Sequence, residues 1–188
     1  MRPIVIIAVA TLTLGAIILQ SGETALGGQS ADDPARISRD LYERLESFHG
    51  HTCGGSLMGA RLGLAARAAL EHKGIQGKLQ AQYFDISCPI DGIQITVGTT
   101  YGNRGITAVD RDEHRLLLTD TESGHQVEAT LTKQAMKKAL ASRDLRNKAR
   151  ALPAGSAERR KLEEQVEATY TWLRTAPESE VVSVKVKR

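Results

Sequence analysis

The spacing of apolar residues changes twice along this chain, and that change constrains the fold more than any other feature of the sequence. The first segment repeats apolar residues every three or four positions, as an amphipathic helix does: Ile37, Leu41, Leu45 and Phe48. A second helix is expected from about Gly55 to His72, where Lys73-Gly74 ends it. The middle of the chain alternates apolar and polar residues, and helical spacing returns from Thr132.

The alternating middle predicts a sheet. Ile93, Ile95 and Val97 alternate with polar residues, which is strand periodicity. Further short stretches also read as strands between Gly- and Asp-rich turns: 83–88, 106–110, 115–119 and 125–131. The tail VVSVKVK adds an edge strand. Helices on both sides of a block of strands predict a single α+β domain, with a mainly antiparallel sheet flanked by helices.

The N-terminus carries an apolar run, IVIIAVATLTLGAIIL (4–19), after Arg2. A basic start, an apolar run and small polar residues are the pattern of a secretory signal, with cleavage after Gly27. An uncleaved membrane anchor is the alternative. We therefore expect a leader or anchor over 1–27, a linker over 28–36 and the domain over 37–188. Either way the domain is exported, and we expect it in the periplasm or another extracytoplasmic compartment.

Charge and aromatic content argue against a nucleic-acid partner. The net charge is only +3, and aromatic residues make up 4% of the chain. The basic excess lies largely in 133–161, within an amphipathic helical region. A solvated helical face accounts for it better than a nucleic-acid surface. Nor does the chain contain a C-x-x-C pair, a G-x-S-x-G elbow or an H-E-x-x-H motif.

The first candidate site is His51-x-Cys53, just ahead of the second predicted helix. Imidazole nitrogen and thiolate sulfur are the preferred ligands of zinc and similar metals. A helix that starts at Gly54 or Gly55 directs its free N–H groups toward Cys53 and lowers the thiol pKa. By itself, such a pair is also typical of core packing or of one half of a disulfide.

Three glycines at four-residue spacing follow, Gly55, Gly59 and Gly63, and share one stripe of the helix. Glycine weakens a helix interior by roughly 0.5–1 kcal/mol relative to alanine. Close approach of another element to the backbone is the usual compensation, and packing explains the stripe better than a ligand does.

The second candidate site is Cys88-Pro89-Ile90-Asp91-Gly92, interpreted as a turn before a strand. Asp91 is a candidate for orienting a metal-bound histidine. The glycine-rich loop 98–105 is interpreted as a hairpin connection that adds Tyr101 or Arg104 to a pocket. In an exported protein, Cys53 and Cys88 are also candidates for a disulfide.

These residues resemble the FmdE-like family, named for a protein associated with formylmethanofuran dehydrogenase. FHGHTCGG followed by LMGARLG is similar to the family's F-H-G-H-x-C-P-G signature with a further glycine. CPIDGIQITVGTTYG and the ending APESEVVSV match later family segments, so the likeness covers about 37–186. Gly54 replaces the usual proline, Thr99 replaces a frequent cysteine, and Asn103 or Arg104 stands where a lysine is common.

The resemblance implies an α+β domain, often dimeric, with a metal-binding or active site. Carried over residue by residue, the metal ligands are His51, Cys53 and Cys88. The neighbouring or pocket residues are His49, Asp91, Gln94, Tyr101 and Arg104. This chain has no counterpart of the cysteine-rich C-terminal zinc ribbon that many members carry.

Three hypotheses remain at the level of sequence. In the first, the exported protein binds zinc or a similar divalent metal and leaves a position for water or a small-molecule ligand. In the second, Cys53 and Cys88 cycle between dithiol and disulfide. In the third, a disulfide of these cysteines staples a non-catalytic binding module. No residue pattern identifies a reaction.

Overall fold

The computed structural model describes residues 33–187. The predicted leader and most of the predicted linker lie outside the described residues. The helices are α1 (Arg39–His49), α2 (Gly54–Glu71), α3 (Pro89–Val97), α4 (Lys133–Arg150), α5 (Ala157–Thr175) and α6 (Glu178–Val181). The strands are β1 (Leu79–Tyr83), β2 (Ile106–Ala108), β3 (Arg115–Asp120), β4 (Gln126–Leu131) and β5 (Val182–Lys187). Within 33–187, no helix combines the length and apolar character that crossing a bilayer requires.

The strands form one sheet in the order β2-β1-β3-β4-β5. Only the β1–β2 pairing is parallel among these strands, and the other three are antiparallel. The tail strand β5 pairs with β4 at the sheet edge, with Val186 opposite Val127. The predicted α+β class, the mainly antiparallel sheet and the edge position of the tail are therefore confirmed.

One face of the sheet is buried against helices. Burial alternates along β3 and β4, so that Leu116, Leu118, Val127 and Ala129 are fully buried. Helix α2 lies on this face and also contacts α3, α4 and α5. Because it is enclosed on several sides, α2 is buried around most of its circumference rather than along one stripe.

The strand predicted at IQITV is wrong, because this segment belongs to helix α3. A run this short satisfies both periods, since Ile93 and Val97 are also one helical turn apart. Pro89 occupies the first turn, where its missing N–H is harmless, and Gly98 ends the helix in the left-handed conformation with φ 78°. Consequently the loop after Gly98 joins α3 to β2 and is not a hairpin.

The glycine stripe of α2 is confirmed as a close-packing surface. A β-carbon at Gly59 would overlap the Pro89 carbonyl, and one at Gly63 would overlap the Thr96 hydroxyl. A β-carbon at Gly55 would lie 2.8 Å from the Cys88 β-carbon. These contacts advance in the same direction along both helices, so α2 and α3 run parallel with their N-termini side by side.

A buried arginine fastens α5 to the middle of α2. Arg61 is fully buried, and burial lowers its pKa to about 10. It donates hydrogen bonds to the carbonyls that end α5, those of Leu173 and Arg174 at 3.2 Å and that of Ala176 at 2.8 Å. These carbonyls lack helical partners, so Arg61 caps the helix and fixes α5 against α2.

Candidate metal centre

Two helix N-termini and one helix C-terminus meet at the candidate site. Cys53 is the N-cap of α2 and Cys88 is the N-cap of α3. The Ser56 backbone N–H donates to Cys53 Sγ at 3.3 Å. His49 is the last residue of α1, and Gly50, with φ 81°, turns the chain so that Cys53 returns beside it. Because α2 and α3 are parallel, the positive ends of both helices face the two sulfurs.

His49, Cys53 and Cys88 offer donor atoms that all lie within 4.8 Å of one another. The distance from His49 Nε2 to Cys53 Sγ is 3.4 Å. In a tetrahedral zinc site with ordinary Zn–N and Zn–S lengths, that edge measures about 3.5 Å. The three side chains therefore fit a metal ion with little rearrangement.

Asp91 holds the His49 ring in the orientation that a ligand needs. His49 Nδ1 donates to Asp91 Oδ2 at 2.6 Å, which leaves the Nε2 lone pair directed toward Cys53. Gln94 in turn donates to the other Asp91 oxygen at 3.3 Å. A carboxylate behind the imidazole is the usual support of a metal-bound histidine.

The surroundings of Cys53 favour its thiolate. Burial disfavours the charge, but the Ser56 backbone N–H and hydroxyl, together with the charge of His49, outweigh burial and lower the pKa of Cys53. Burial also disfavours protonation of His49, yet the Asp91 carboxylate and the Cys53 sulfur raise its pKa. Both shifts are therefore in the direction that favours the charged form of each group, the thiolate of Cys53 and the imidazolium of His49.

Cys88 behaves in the opposite way. Partial desolvation and the negative charge of Cys53, with which it shares a hydrogen bond, raise the pKa of Cys88. Both cysteines are free thiols, with Cys53 buried and Cys88 exposed. A divalent cation held by both sulfurs would offset their mutual repulsion and stabilise both as thiolates.

His51, predicted as a ligand, is not part of this group of three donors. Its ring lies 4.6 Å, centroid to centroid, from that of His49, on the exposed side. Burial, the charge of His49 and the charges of Arg146 and Arg150 lower the pKa of His51. The geometry brings His49 to the position expected of His51, while a ligand role for His51 stays a prediction.

The predicted pocket residues lie at increasing distances from the sulfurs. Gln94 bonds to Asp91 and also accepts from the Tyr101 backbone N–H at 3.1 Å. The Tyr101 side chain itself is 85% exposed. Arg104 is exposed in a left-handed turn with φ 56°. Gln94 thus lies behind Asp91, whereas the loop leaves the side chains of Tyr101 and Arg104 in solvent.

A cavity of about 310 Å³ opens beside the two sulfurs. Its walls include residues that the sequence interpretation did not select, notably Arg143 and Arg146 of α4, Tyr170 of α5, and His114. The Nδ1 atom of His114 lies 2.8 Å from the Tyr83 hydroxyl and 3.4 Å from Asp85. Residues from α4 and α5 are far from the cysteines in sequence, so no local motif could reveal them.

Comparison with known proteins identifies a family and a similar fold. The sequence profile described as "FmdE, Molybdenum formylmethanofuran dehydrogenase operon" matches residues 48–183. A solved structure with a similar fold is that of a tungsten formylmethanofuran dehydrogenase FmdE-like protein from Syntrophus aciditrophicus. The two chains are 21% identical with a TM-score of 0.55, over 79% of this chain and 71% of that chain. The comparison with curated proteins finds no match.

Proposed function

The chain belongs to the FmdE family, and on this premise we propose that it is an exported metal-binding protein that holds zinc or a similar divalent transition metal through His49, Cys53 and Cys88. One observation carries the proposal. Donor atoms from the end of α1 and from the N-caps of α2 and α3 converge within 4.8 Å, with the histidine held by Asp91.

The donor set favours zinc. One imidazole and two thiolates are ligands of borderline and soft character, and three protein ligands with an open fourth position are typical of catalytic zinc. The lowered pKa of Cys53 supports metal binding, because the thiolate is the form that ligates. An ion with an open position supplies a Lewis acid. The cavity beside the sulfurs offers space for a small molecule at that position.

Metal analysis combined with thiol titration tests this function. Full-length protein is expected to carry about one zinc ion and two thiols that metal protects from modification. His49→Ala should lose the metal, and His51→Ala, a matched change two residues away, should keep it. If only His51→Ala lost the metal, the histidine ligand would be His51 and not His49. A quantitative Cys53–Cys88 disulfide without metal would overturn the proposal.

A thiol–disulfide function is the second candidate, and one observation favours it. Cys53 has a lowered pKa, and its exposed neighbour Cys88 lies close enough to share a hydrogen bond. This is the arrangement of an attacking thiolate and an accessible partner. Equilibration with glutathione buffers distinguishes the candidates. A reversible disulfide at a mild potential in protein purified without metal supports redox exchange, and thiols that stay reduced exclude it.

We also propose that the domain works outside the cytoplasm. The uncharged run 4–19 after Arg2 supports export. Subcellular fractionation of a tagged full-length protein tests it, with recovery in the periplasmic or membrane fraction expected and recovery in the cytosol contradictory.

A homodimer is proposed as the assembly state. The family resemblance supports it, and so do apolar side chains left in solvent, with Phe48 and Ile86 55% and 65% exposed. Sedimentation equilibrium of the full-length protein is expected to give twice the chain mass of 20.4 kDa. A single-chain mass at micromolar concentration would exclude the dimer.

A further inference from the structure

The cavity beside the sulfurs contains an arginine with buried atoms that have no partner in the protein. Arg146 of α4 lines this cavity, and its Nε and Nη1 atoms are buried without a hydrogen-bond partner. Buried polar groups are almost always hydrogen-bonded, because a buried donor without a partner loses its hydrogen bonds to water and forms no others to replace them. The strongest partner for a guanidinium is a carboxylate or another planar oxyanion, which two N–H groups bind together.

The acidic side chains of the cavity do not fill this role. Asp85 lies 3.4 Å from His114 and accepts a hydrogen bond from Ser87, so its carboxylate is already engaged. Asp112 is exposed, in a left-handed turn with φ 53°. The wall on the α4 side also contains a second arginine, Arg143. This side of the cavity is therefore positively charged, and neither of its two acidic side chains neutralises Arg146.

Tyr170 lies close to the same positive charge. Burial raises the pKa of Tyr170, against the opposing effect of Arg146, so the phenol stays neutral and remains a hydrogen-bond donor at the cavity wall. An anion in this cavity meets one guanidinium and one hydroxyl.

Part of the remaining wall is apolar. Met58, Pro89 and Leu140 line the space together with the two cysteines. The volume of about 310 Å³ equals roughly ten water molecules at about 30 Å³ each. The occupant is thus limited to a small molecule that has a charged end and an apolar body.

We propose that this cavity binds a small carboxylate, with its carboxylate on Arg146, its apolar body against Met58, Pro89 and Leu140, and its far end toward Cys53 and Cys88. The contact at the far end rests on the proposed metal function. Recognition of the carboxylate by Arg146 does not, and it is measured separately with metal-free and zinc-loaded protein.

Calorimetric titration of full-length protein with benzoate tests the charge recognition, and benzamide is the neutral control of the same shape. Benzoate is expected to bind at least about tenfold more tightly than benzamide, as a charge-assisted hydrogen bond implies. Arg146→Gln should remove this preference, and Arg146→Lys should retain part of it. Inorganic phosphate should bind more weakly than benzoate, because it lacks an apolar body.

The matched control is Arg150→Gln, one helical turn further along α4. Arg150 does not line this cavity but lines a neighbouring one, which Arg146 also borders. Its removal lowers the net charge equally and should change benzoate binding by less than about twofold. Equal losses in the two glutamine variants would show general charge attraction and overturn the proposal. So would equal binding of benzoate and benzamide by wild-type protein, or tighter binding of phosphate than of benzoate.

A second measurement needs no variant. Benzoate should shift the Arg146 Nε–H resonance in a ¹H–¹⁵N spectrum of wild-type protein, while benzamide leaves it unchanged; an unmoved resonance would overturn the proposal. Metal content measured on the same samples separates the two claims. Absence of bound zinc with a retained benzoate preference would refute the metal function and leave the carboxylate site standing. Bound zinc without a preference for benzoate over benzamide would support the metal function and refute the carboxylate site.

Discussion

The parallel helices α2 and α3 have a cavity at each end, and the two cavities differ in kind. The one at the C-terminal ends measures about 730 Å³, more than twice the volume of about 310 Å³ at the N-terminal ends. In the larger cavity, Arg67 already bonds to Glu71 at 2.7 Å. Asn103 there bonds to the Gly98 carbonyl and the Thr100 N–H, both at 2.9 Å.

The smaller cavity combines hydrogen-bond donors that have no partner with side chains that can bind a metal ion. It contains both thiols, and the Arg146 guanidinium has buried N–H groups without a partner. The candidate site is therefore distinguished by its side chains rather than by its volume. The N-terminal ends of two parallel helices concentrate positive potential and free N–H groups, which stabilise thiolates, whereas the C-terminal ends are closed by local hydrogen bonds.

The largest expected effect is the loss of a proposed sulfur ligand at the N-terminal ends. Cys53→Ser should weaken zinc binding by more than about 100-fold, since even residues behind the ligands contribute 10–100-fold. Arg67→Gln in the larger cavity should leave zinc binding unchanged. Competition with a chromogenic chelator measures both constants. If Cys53→Ser retained zinc, or Arg67→Gln lost it, zinc binding would not depend on the N-terminal ends of the two helices as proposed.

The next effect concerns the support of His49. Asp91→Asn keeps the shape of the side chain but weakens the 2.6 Å hydrogen bond to Nδ1, so zinc affinity should fall about 10–100-fold. Asp112→Asn, which changes the same chemical group at an exposed position of the cavity rim, is the control and should alter affinity little. Equal affinities for wild type and Asp91→Asn would mean that Asp91 does not orient a ligand.

A smaller effect is expected on stability when the two helices are forced apart. Gly59→Ala should lower the free energy of unfolding by about 1–3 kcal/mol, because the new methyl group overlaps the Pro89 carbonyl. Gly102→Ala lies in the loop at the other end, where the nearest atom is 3.9 Å away, and should stay within about 0.5 kcal/mol. Urea unfolding of metal-free protein measures both. A neutral or stabilising Gly59→Ala would contradict the tight contact between α2 and α3.

The smallest effect is a pH dependence of the metal-free protein. The pKa of Cys53 is lowered in the fold, so its contribution to stability is present above the ordinary thiol pKa of about 8.5 and is lost as pH falls through the folded value. The pKa of Cys88 is raised, so its contribution is present below that ordinary value and is lost as pH rises through the folded one.

Thiolate absorbance in the ultraviolet should therefore rise in two steps that belong to the coupled pair. Cys53→Ser should remove the step at lower pH, and in Cys88→Ser a single low-pH step should remain. One unshifted transition for two equivalent thiols would contradict the helix-end environment described for Cys53.

The sequence predicted the architecture for most segments that were long enough to show their period, but the strand expected over 83–88 is wrong, because β1 spans Leu79–Tyr83. The helices α1 and α2, the return to helix after Thr132 and the edge strand β5 were predicted in this way. At α3 it failed, since five alternating residues also satisfy a helix and the deciding features are Pro89 at the start and Gly98 at the end. Phe48, expected on the buried face of α1, is 55% exposed.

The site was predictable only in part, for a related reason. Cys53 and Cys88 carry local signals, a predicted helix start and a Cys-Pro turn, and the structure brings them together. The choice between His49 and His51 depends on Gly50, whose left-handed turn at the end of α1 returns the chain toward His49. Arg146 and Tyr170 reach the cavity only through the packing of α4 and α5, which Arg61 helps to fix at the end of α5.

X-ray absorption at the zinc edge of the loaded full-length protein tests the central claim most directly. Two sulfur scatterers at about 2.3 Å and one imidazole nitrogen at about 2.0 Å are predicted. The imidazole contribution should disappear in His49→Ala and persist in His51→Ala. A shell of light atoms without sulfur, or an imidazole signal that survives in His49→Ala, would contradict a centre built from His49, Cys53 and Cys88.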